Sequence, residues 1–178
     1  MDPAVSTFGL EPMSSTVSGP NVAVTLAQYV TPHGTRAFII TDAGITATGI
    51  VKPITDALTT AGMKWQVFDQ VSPNPTDINV AAGVAAINKF GLDGTVVVLI
   101  GGGSVMDCGK YIALAAPNGV DHVGLAFAPD LDANDRIDFS TLAPKASASK
   151  PGLPTIAIPT TSGTASETNG GGLITDTI

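Results

Sequence analysis

Thr95-Val96-Val97-Val98-Leu99-Ile100-Gly101-Gly102-Gly103-Ser104-Val105-Met106-Asp107 is the stretch that decides the fold. Its first half is an unbroken β-branched and aliphatic run. Such a run suits a strand buried on both faces of a parallel sheet rather than an alternating, half-wet one. The glycines that follow mark a tight strand-to-helix turn. Without Cβ atoms the backbone can approach an anion closely, and some of these positions are expected to need positive φ. Ser104 is expected to cap the next helix, with Asp107 three residues on as in a capping box. A helix beginning here turns its unpaired N–H groups toward an anion. Three consecutive glycines exceed what a turn alone requires. The stretch is not G-x-G-x-x-G, because Met106 stands at the third glycine position.

A second turn of the same kind follows another β-type run. Thr155-Ile156-Ala157-Ile158 reads as a buried strand feeding Pro159-Thr160-Thr161-Ser162-Gly163-Thr164-Ala165-Ser166-Glu167. Upstream, Arg36-Ala37-Phe38-Ile39-Ile40-Thr41 is a continuous apolar strand closed by Asp42. Ile54, Leu58 and Ala61 recur at helical spacing before Gly62, a C-terminal cap, with Pro53 in the first turn and Ala43 to Lys52 as a separate short turn. Lys64 to Asp69 reads as a strand. The loop from Val71 ends in Thr76, a helix-capping residue, and Ile78, Ala81, Ala82, Ala85, Ala86 and Lys89 ride on a helix ending near Gly91. After the first glycine turn, Val105, Cys108, Ile112 and Ala115 form the stripe of a helix from Ser104 to Ala116, with Gly109 permitting close packing.

Asn118 to Gly152 reads as a long connection with some short helix. Gly172-Leu173-Ile174-Thr175 resembles the start of a further strand, and Val17 to Val30 an earlier strand or hairpin and a helix. This alternation predicts an α/β fold, a doubly wound, mostly parallel sheet. Ligands in such sheets sit at the carboxyl ends of the strands, where both glycine turns fall.

Composition narrows the function classes. Hydrophobic residues make up 44% of the 178 and charged residues 13%, a globular rather than disordered balance. The net charge of −7, with no Lys/Arg cluster, disfavours nucleic-acid and anionic-membrane partners. No apolar run is long enough for a membrane span. Met1 to Pro20 lacks Lys, Arg and an apolar core, so it does not read as a signal peptide, and the cytoplasm is the expected location. Cys108 is the only cysteine, which excludes an intrachain disulfide, and it reads as a small core residue.

Four segments in order carry a resemblance: Ile39-Ile40-Thr41-Asp42, Pro73-Asn74-Pro75-Thr76, Gly101-Gly102-Gly103-Ser104-x-x-Asp107, and Ile158-Pro159-Thr160-Thr161-Ser162-Gly163-Thr164-x-Ser166-Glu167. From about Thr16 onward the chain resembles the dinucleotide-binding half of iron-containing alcohol dehydrogenases. Their fold is Rossmann-like, of the dehydroquinate synthase type. Ser104, where glycerol dehydrogenases and dehydroquinate synthases usually carry Lys, points to the alcohol dehydrogenase branch.

The resemblance implies roles residue by residue. Gly102, Gly103 and Ser104 would hold the pyrophosphate, and Asp107 would lie toward the nicotinamide end. Thr160, Thr161 and Thr164 would contact the adenosine side, and Asn74 the ribose region. Asn169 stands where the family often has Thr and would hydrogen-bond the cofactor. Asp42 would accept from a ribose diol and repel a 2′-phosphate, which implies NAD, with NADP disfavoured. The family's metal is held by one aspartate and three histidines of a second, helical domain. Here only His33 and His122 exist, without ligand spacing, and both read as surface or loop residues. Asp130-Leu131-Asp132-Ala133-Asn134-Asp135 resembles a calcium loop only superficially. Asp135 replaces its glycine and Thr141 its final glutamate, so it reads as a solvated acidic loop.

Residues 1–178 thus read as a single dinucleotide-binding domain with no catalytic or metal-ligating residue of its own. They are expected to be inactive alone, the metal-binding domain being absent. The alternative is a non-catalytic nucleotide-binding or interaction module that self-associates or pairs with a separate metal-binding chain.

Overall fold

The computed structural model describes residues 15–120, 123–125, 127–134, 136–144 and 148–177. Helix α1 (Ala27–Val30) precedes β1 (Arg36–Ile40), α2 (Ala43–Ala47), α3 (Val51–Thr60) and β2 (Lys64–Phe68). Then come α4 (Asp77–Phe90), β3 (Thr95–Gly101) and α5 (Gly103–Ala115), the hairpin strands β4 (Phe127–Leu131) and β5 (Ile137–Pro144), and β6 (Thr155–Pro159). Strands β2, β1, β3 and β6 lie side by side in that order, and every pairing is parallel.

The unbroken apolar runs follow from this placement. On one face of the sheet Phe38, Ile40, Val97 and Leu99 pack against α4 and α5, through residues such as Val84, Ile87, Cys108 and Ile112. On the other, Ala37, Ile39, Val96, Val98 and Ile100 meet Val51, Ile54 and Leu58 of α3 and Leu26 and Val30 near the N-terminus. With a core on each side, the interior of β3 is apolar from Val96 to Ile100, and its one buried hydroxyl, on Thr95 at the strand's start, is paired with the Gly91 carbonyl. Each large aliphatic side chain so buried contributes about 1.5–3 kcal/mol. The sheet is therefore doubly wound, as the sequence predicts.

Helix ends are set by local chemistry. Asp42 caps α2 by accepting the Ile45 N–H at 2.8 Å. Pro53 lies in the first turn of α3, where its missing N–H is not needed. Gly62, at φ +72°, ends that helix in the left-handed conformation that glycine adopts freely. At α4 the Asn79 Oδ1 accepts the Thr76 N–H at 3.0 Å, the return half of a capping box. Its Nδ2 donates to the Gln70 carbonyl at 2.9 Å. Asn79 thereby orders the loop between β2 and α4. The buried face of α4 is Val80, Gly83, Val84, Ile87 and Phe90, whereas Ile78 is exposed.

Several expectations need correction. Residues 118–152 hold an antiparallel β4–β5 hairpin, and the helical turns among the described residues here are the single 3-10 turns Ala116–Asn118 and Val123–Leu125. In the acidic stretch Asp130 and Leu131 belong to β4, and Asp132 to Asn134 follow in the hairpin's turn. Asp132 accepts the N–H groups of Asn134 and Arg136 at 2.8 and 2.9 Å, which lowers its carboxyl below the usual range. Strand β6 is an edge strand with half-buried centre positions, not a fully buried one. Gly172–Thr175 forms no strand, because Thr175 makes a lone bridge to Thr76, exchanging bonds with Pro75 and Asp77. Val22–Thr25 is a 3-10 turn, and no strand precedes β1 among the described residues. Met1 to Ser14, His122 and Asp135 lie outside the described residues.

Candidate functional site

Because β1, β3 and β6 are parallel, the loops that leave them emerge at one end of the sheet. Two hydrogen bonds tie those loop starts together. Buried Thr41 Oγ1 donates to the Ile100 carbonyl at 2.7 Å, and the Thr160 N–H donates to the Gly101 carbonyl at 2.9 Å. The result is an open cavity of about 520 Å³ walled by Asp42–Ile45, Val71–Pro73, Gly102–Val105, Thr160 and Thr161.

The glycines here answer to space rather than to dihedral angle. None of Gly101, Gly102 and Gly103 has positive φ, contrary to expectation. A Cβ on Gly101 would fall 2.5 Å from Val105 Cγ2, and one on Gly102 would fall 3.0 Å from Thr161 Oγ1. Gly101 thus lies under Val105 of its own turn, while Gly102 faces Thr161 of the second turn closely enough that an added Cβ would make Thr161 shift. Helix α5 starts at Gly103 with Gly102 as its N-cap in an extended conformation, so Ser104 is inside the first turn and does not cap. Its Oγ instead accepts the Asn74 N–H at 3.3 Å. Nor does Asp107 reach back to the helix start, since its oxygens are taken by Ser166 Oγ and the Leu173 N–H. The first intrahelical donor is Met106, to the Gly102 carbonyl. The N–H groups of Gly103, Ser104 and Val105 thus belong to the first turn, whose donors have no helical acceptor. They give the cavity wall a partial positive end, although no Lys or Arg lines it.

Asp42 sits in the same wall. Its Oδ1 is engaged by Ile45, and no other hydrogen bond reaches this carboxylate among the described residues. The cavity therefore has a donor-rich glycine rim and one carboxylate able to accept from hydroxyls. A molecule with a phosphate at one point and a vicinal diol at another matches that pair of features.

A second cavity, of about 450 Å³, is lined by Asp107, Thr164, Ser166, Asn169, Gly171, Gly172 and Leu173. Gly103 of the first cavity's wall faces Thr164 of the second's, and an added Cβ on Gly103 would meet Thr164 at 3.4 Å. The sequence-derived set is thus divided. Asp42, Gly102, Gly103, Ser104, Thr160 and Thr161 share the first cavity, while Asp107, Thr164 and Asn169 share the second. Asn74 joins the first through its backbone N–H and has a left-handed φ of 52°.

Lys110 is a participant that sequence reasoning missed. Its Nζ donates to the Ser166 carbonyl at 2.8 Å, to the Asn169 carbonyl and Oδ1 at 3.2 and 3.1 Å, and to the Gly171 carbonyl. Asp107 Oδ1 lies 3.6 Å away. Burial lowers the Lys110 pKa, against which Asp107 and Glu167 pull upward. Nothing local announces this role, since its acceptors are backbone carbonyls far along the chain.

Cys108 faces the core, fully buried, and burial followed by the nearby Asp107 raises its thiol to about 12. A thiolate nucleophile is incompatible with that environment. Native protein is expected to resist a thiol-labelling reagent at pH 8 and to react once unfolded. Rapid stoichiometric labelling of the native chain would contradict this. His33 is exposed, as predicted. Among the described residues no group of three or more His, Cys, Asp or Glu is placed to hold a metal ion, and no helix is long and apolar enough to cross a membrane.

Comparison with known proteins supplies independent findings. Residues 13–178 match the family described as Iron-containing alcohol dehydrogenase. The chain is 34% identical to lactaldehyde reductase of Escherichia coli K12 over 141 residues, which is 79% of this chain and 32% of the relative. It is 35% identical to 1,3-propanediol dehydrogenase of Klebsiella pneumoniae over 162 residues, covering 89% of this chain and 37% of the relative. Among solved structures, alcohol dehydrogenase from Oenococcus oeni superposes with a TM-score of 0.73 at 26% identity, covering 93% of this chain and 39% of that one. The chain spans about a third of the length of the curated relatives it matches.

Proposed function

The chain belongs to the iron-containing alcohol dehydrogenase family, and from that we propose that its residues form the NAD-binding region of an alcohol/aldehyde oxidoreductase. The observation that carries the reading is the first cavity, with first-turn N–H groups of α5 behind Gly102 and Gly103 and the Asp42 carboxylate in the same wall. The glycine cradle fits a pyrophosphate, because any Cβ there would occupy the approach. Gly102, Gly103 and Ser104 would hold the pyrophosphate, and Thr160 and Thr161 the adenosine side. Asp42 would accept from the adenine-ribose hydroxyls, and Asp107 and Asn169 would line the nicotinamide side together with Thr164, which shares their cavity although the resemblance places it on the adenosine side. When bound, a nicotinamide cofactor supplies the hydride acceptor or donor.

The residues described here seat and orient that group, and none is assigned to the alcohol oxygen or to a metal. In this reading the chain by itself turns over alcohols negligibly.

Asp42→Ala tests the assignment. Without the carboxylate, a 2′-phosphate meets no repulsion and a diol loses its acceptor. The preference for NADH over NADPH is therefore expected to narrow by about tenfold. The lost helix cap costs about 1 kcal/mol, too little to unfold a chain with this core. An unchanged preference in the folded variant would remove Asp42 from the cofactor site.

A further inference from the structure

We propose that Lys110 is a positioning residue for the cofactor site, its ammonium acting as a latch that holds the loop Ser166–Gly171 against α5. The inference rests on the NAD reading and goes beyond it, because Lys110 does not itself line either cavity. It acts through the residues it holds.

The geometry makes the latch specific. The three N–H donors of one ammonium serve the carbonyls of Ser166 and Gly171 and the two oxygens of Asn169, its carbonyl and Oδ1, which share a donor. The loop it gathers includes Gly170 and Gly171 and runs on into Gly172, a glycine run whose backbone freedom makes ordering costly. The neighbouring Asp107 completes the device from the same helix face. It takes Ser166 Oγ on one oxygen and the Leu173 N–H on the other, and its Oδ1 lies 3.6 Å from the Lys110 ammonium. At Gly172 the loop lies so close to α5 that an added Cβ would fall 3.1 Å from Asp107 Cα. Both walls of the second cavity are therefore fixed by two side chains of one helical turn. The first cavity owes nothing to Lys110, since its loops are tied by Thr41–Ile100 and Thr160–Gly101.

This asymmetry gives the test. NADH spans both cavities, whereas ADP needs only the first. Calorimetric titration of the 178-residue chain carrying Lys110→Met is expected to show NADH binding weakened about tenfold with ADP binding unchanged. Lys110→Gln, which keeps a donor, is expected to lose less. Amide hydrogen exchange without nucleotide is expected to accelerate across residues 164–173 in Lys110→Met and not in the sheet.

Equal loss of NADH and ADP would mean a merely structural role and overturn the latch, as would unaltered NADH binding or unaltered loop exchange. If the unsubstituted chain binds neither NADH nor ADP, the cofactor reading fails, and the positioning role falls with it even where the exchange data show a latched loop. If Lys110→Met does not fold, the same comparisons are made with Lys110→Gln.

Discussion

Gly102→Val is expected to abolish nucleotide binding, by about a hundredfold or more in affinity, without unfolding the chain. The added Cβ would stand 3.0 Å from Thr161 Oγ1 and 3.6 Å from Thr161 Cβ. The two γ-carbons beyond it have to be placed between the facing glycine turns, in the wall a phosphate must approach. The backbone is not what resists. Gly102 has φ −87° and ψ −166°, an extended conformation that valine favours. The side chain thus blocks the site from an unstrained position, and Thr161 is the residue that must yield. Calorimetry with NADH alongside thermal melting separates the two effects. Lost binding at a nearly unchanged Tm is the expected pattern. Retained binding would show that the gap between the turns is not the phosphate seat.

The largest effect on stability is expected at Leu99. This side chain is buried in the centre of β3 and lies over Gly109 of α5, where a Cβ would meet Leu99 Cδ2 at 2.1 Å. Leu99→Ala should cost about 2–5 kcal/mol through lost burial and a residual cavity. Gly109→Ala alone should cost about 1–3 kcal/mol from overpacking, less the roughly 1 kcal/mol that alanine returns to a helix. The double variant carries the informative result. With Leu99 truncated, the new methyl occupies vacated space, so the pair should be less destabilised than the sum of the singles by about 0.5–3 kcal/mol. Urea unfolding of the four proteins measures this coupling. Strict additivity would show that the strand and helix do not meet there.

The fold was legible where burial on two faces left a signature in the sequence. Arg36–Thr41 and Thr95–Ile100 read as strands because no polar residue interrupts their interiors, and the structure packs a core on each side. Thr155–Ile158 carries the same signature yet sits at an edge, because a sequence run does not say whether a neighbour covers it. The β4–β5 hairpin was missed because Pro129, Asp130 and the acidic turn interrupt its alternation.

In the site, residue choice was more legible than residue role. Asp42, Gly102, Gly103, Ser104, Thr160 and Thr161 do converge on one cavity. Yet Ser104 does not cap its helix, since Gly102 already takes that position. Lys110 was invisible as a site residue, because its partners are carbonyls of a loop reached only through the fold. Asn79, which orders the loop beside the first cavity, is a local case: it closes a capping box with Thr76, obscured in the sequence because Asn stands where Glu or Gln is usual.

The account stands on the first cavity being a seat for a dinucleotide that prefers a free ribose diol. Calorimetric titration of the folded chain with NADH and with NADPH tests it most directly. Trp65 is a poor reporter here, since it lies near the start of β2, at the opposite end of the sheet from the cavity. The account predicts saturable NADH binding, with NADPH weaker by about tenfold or more. A well-folded chain that binds neither, or that prefers NADPH, would contradict it.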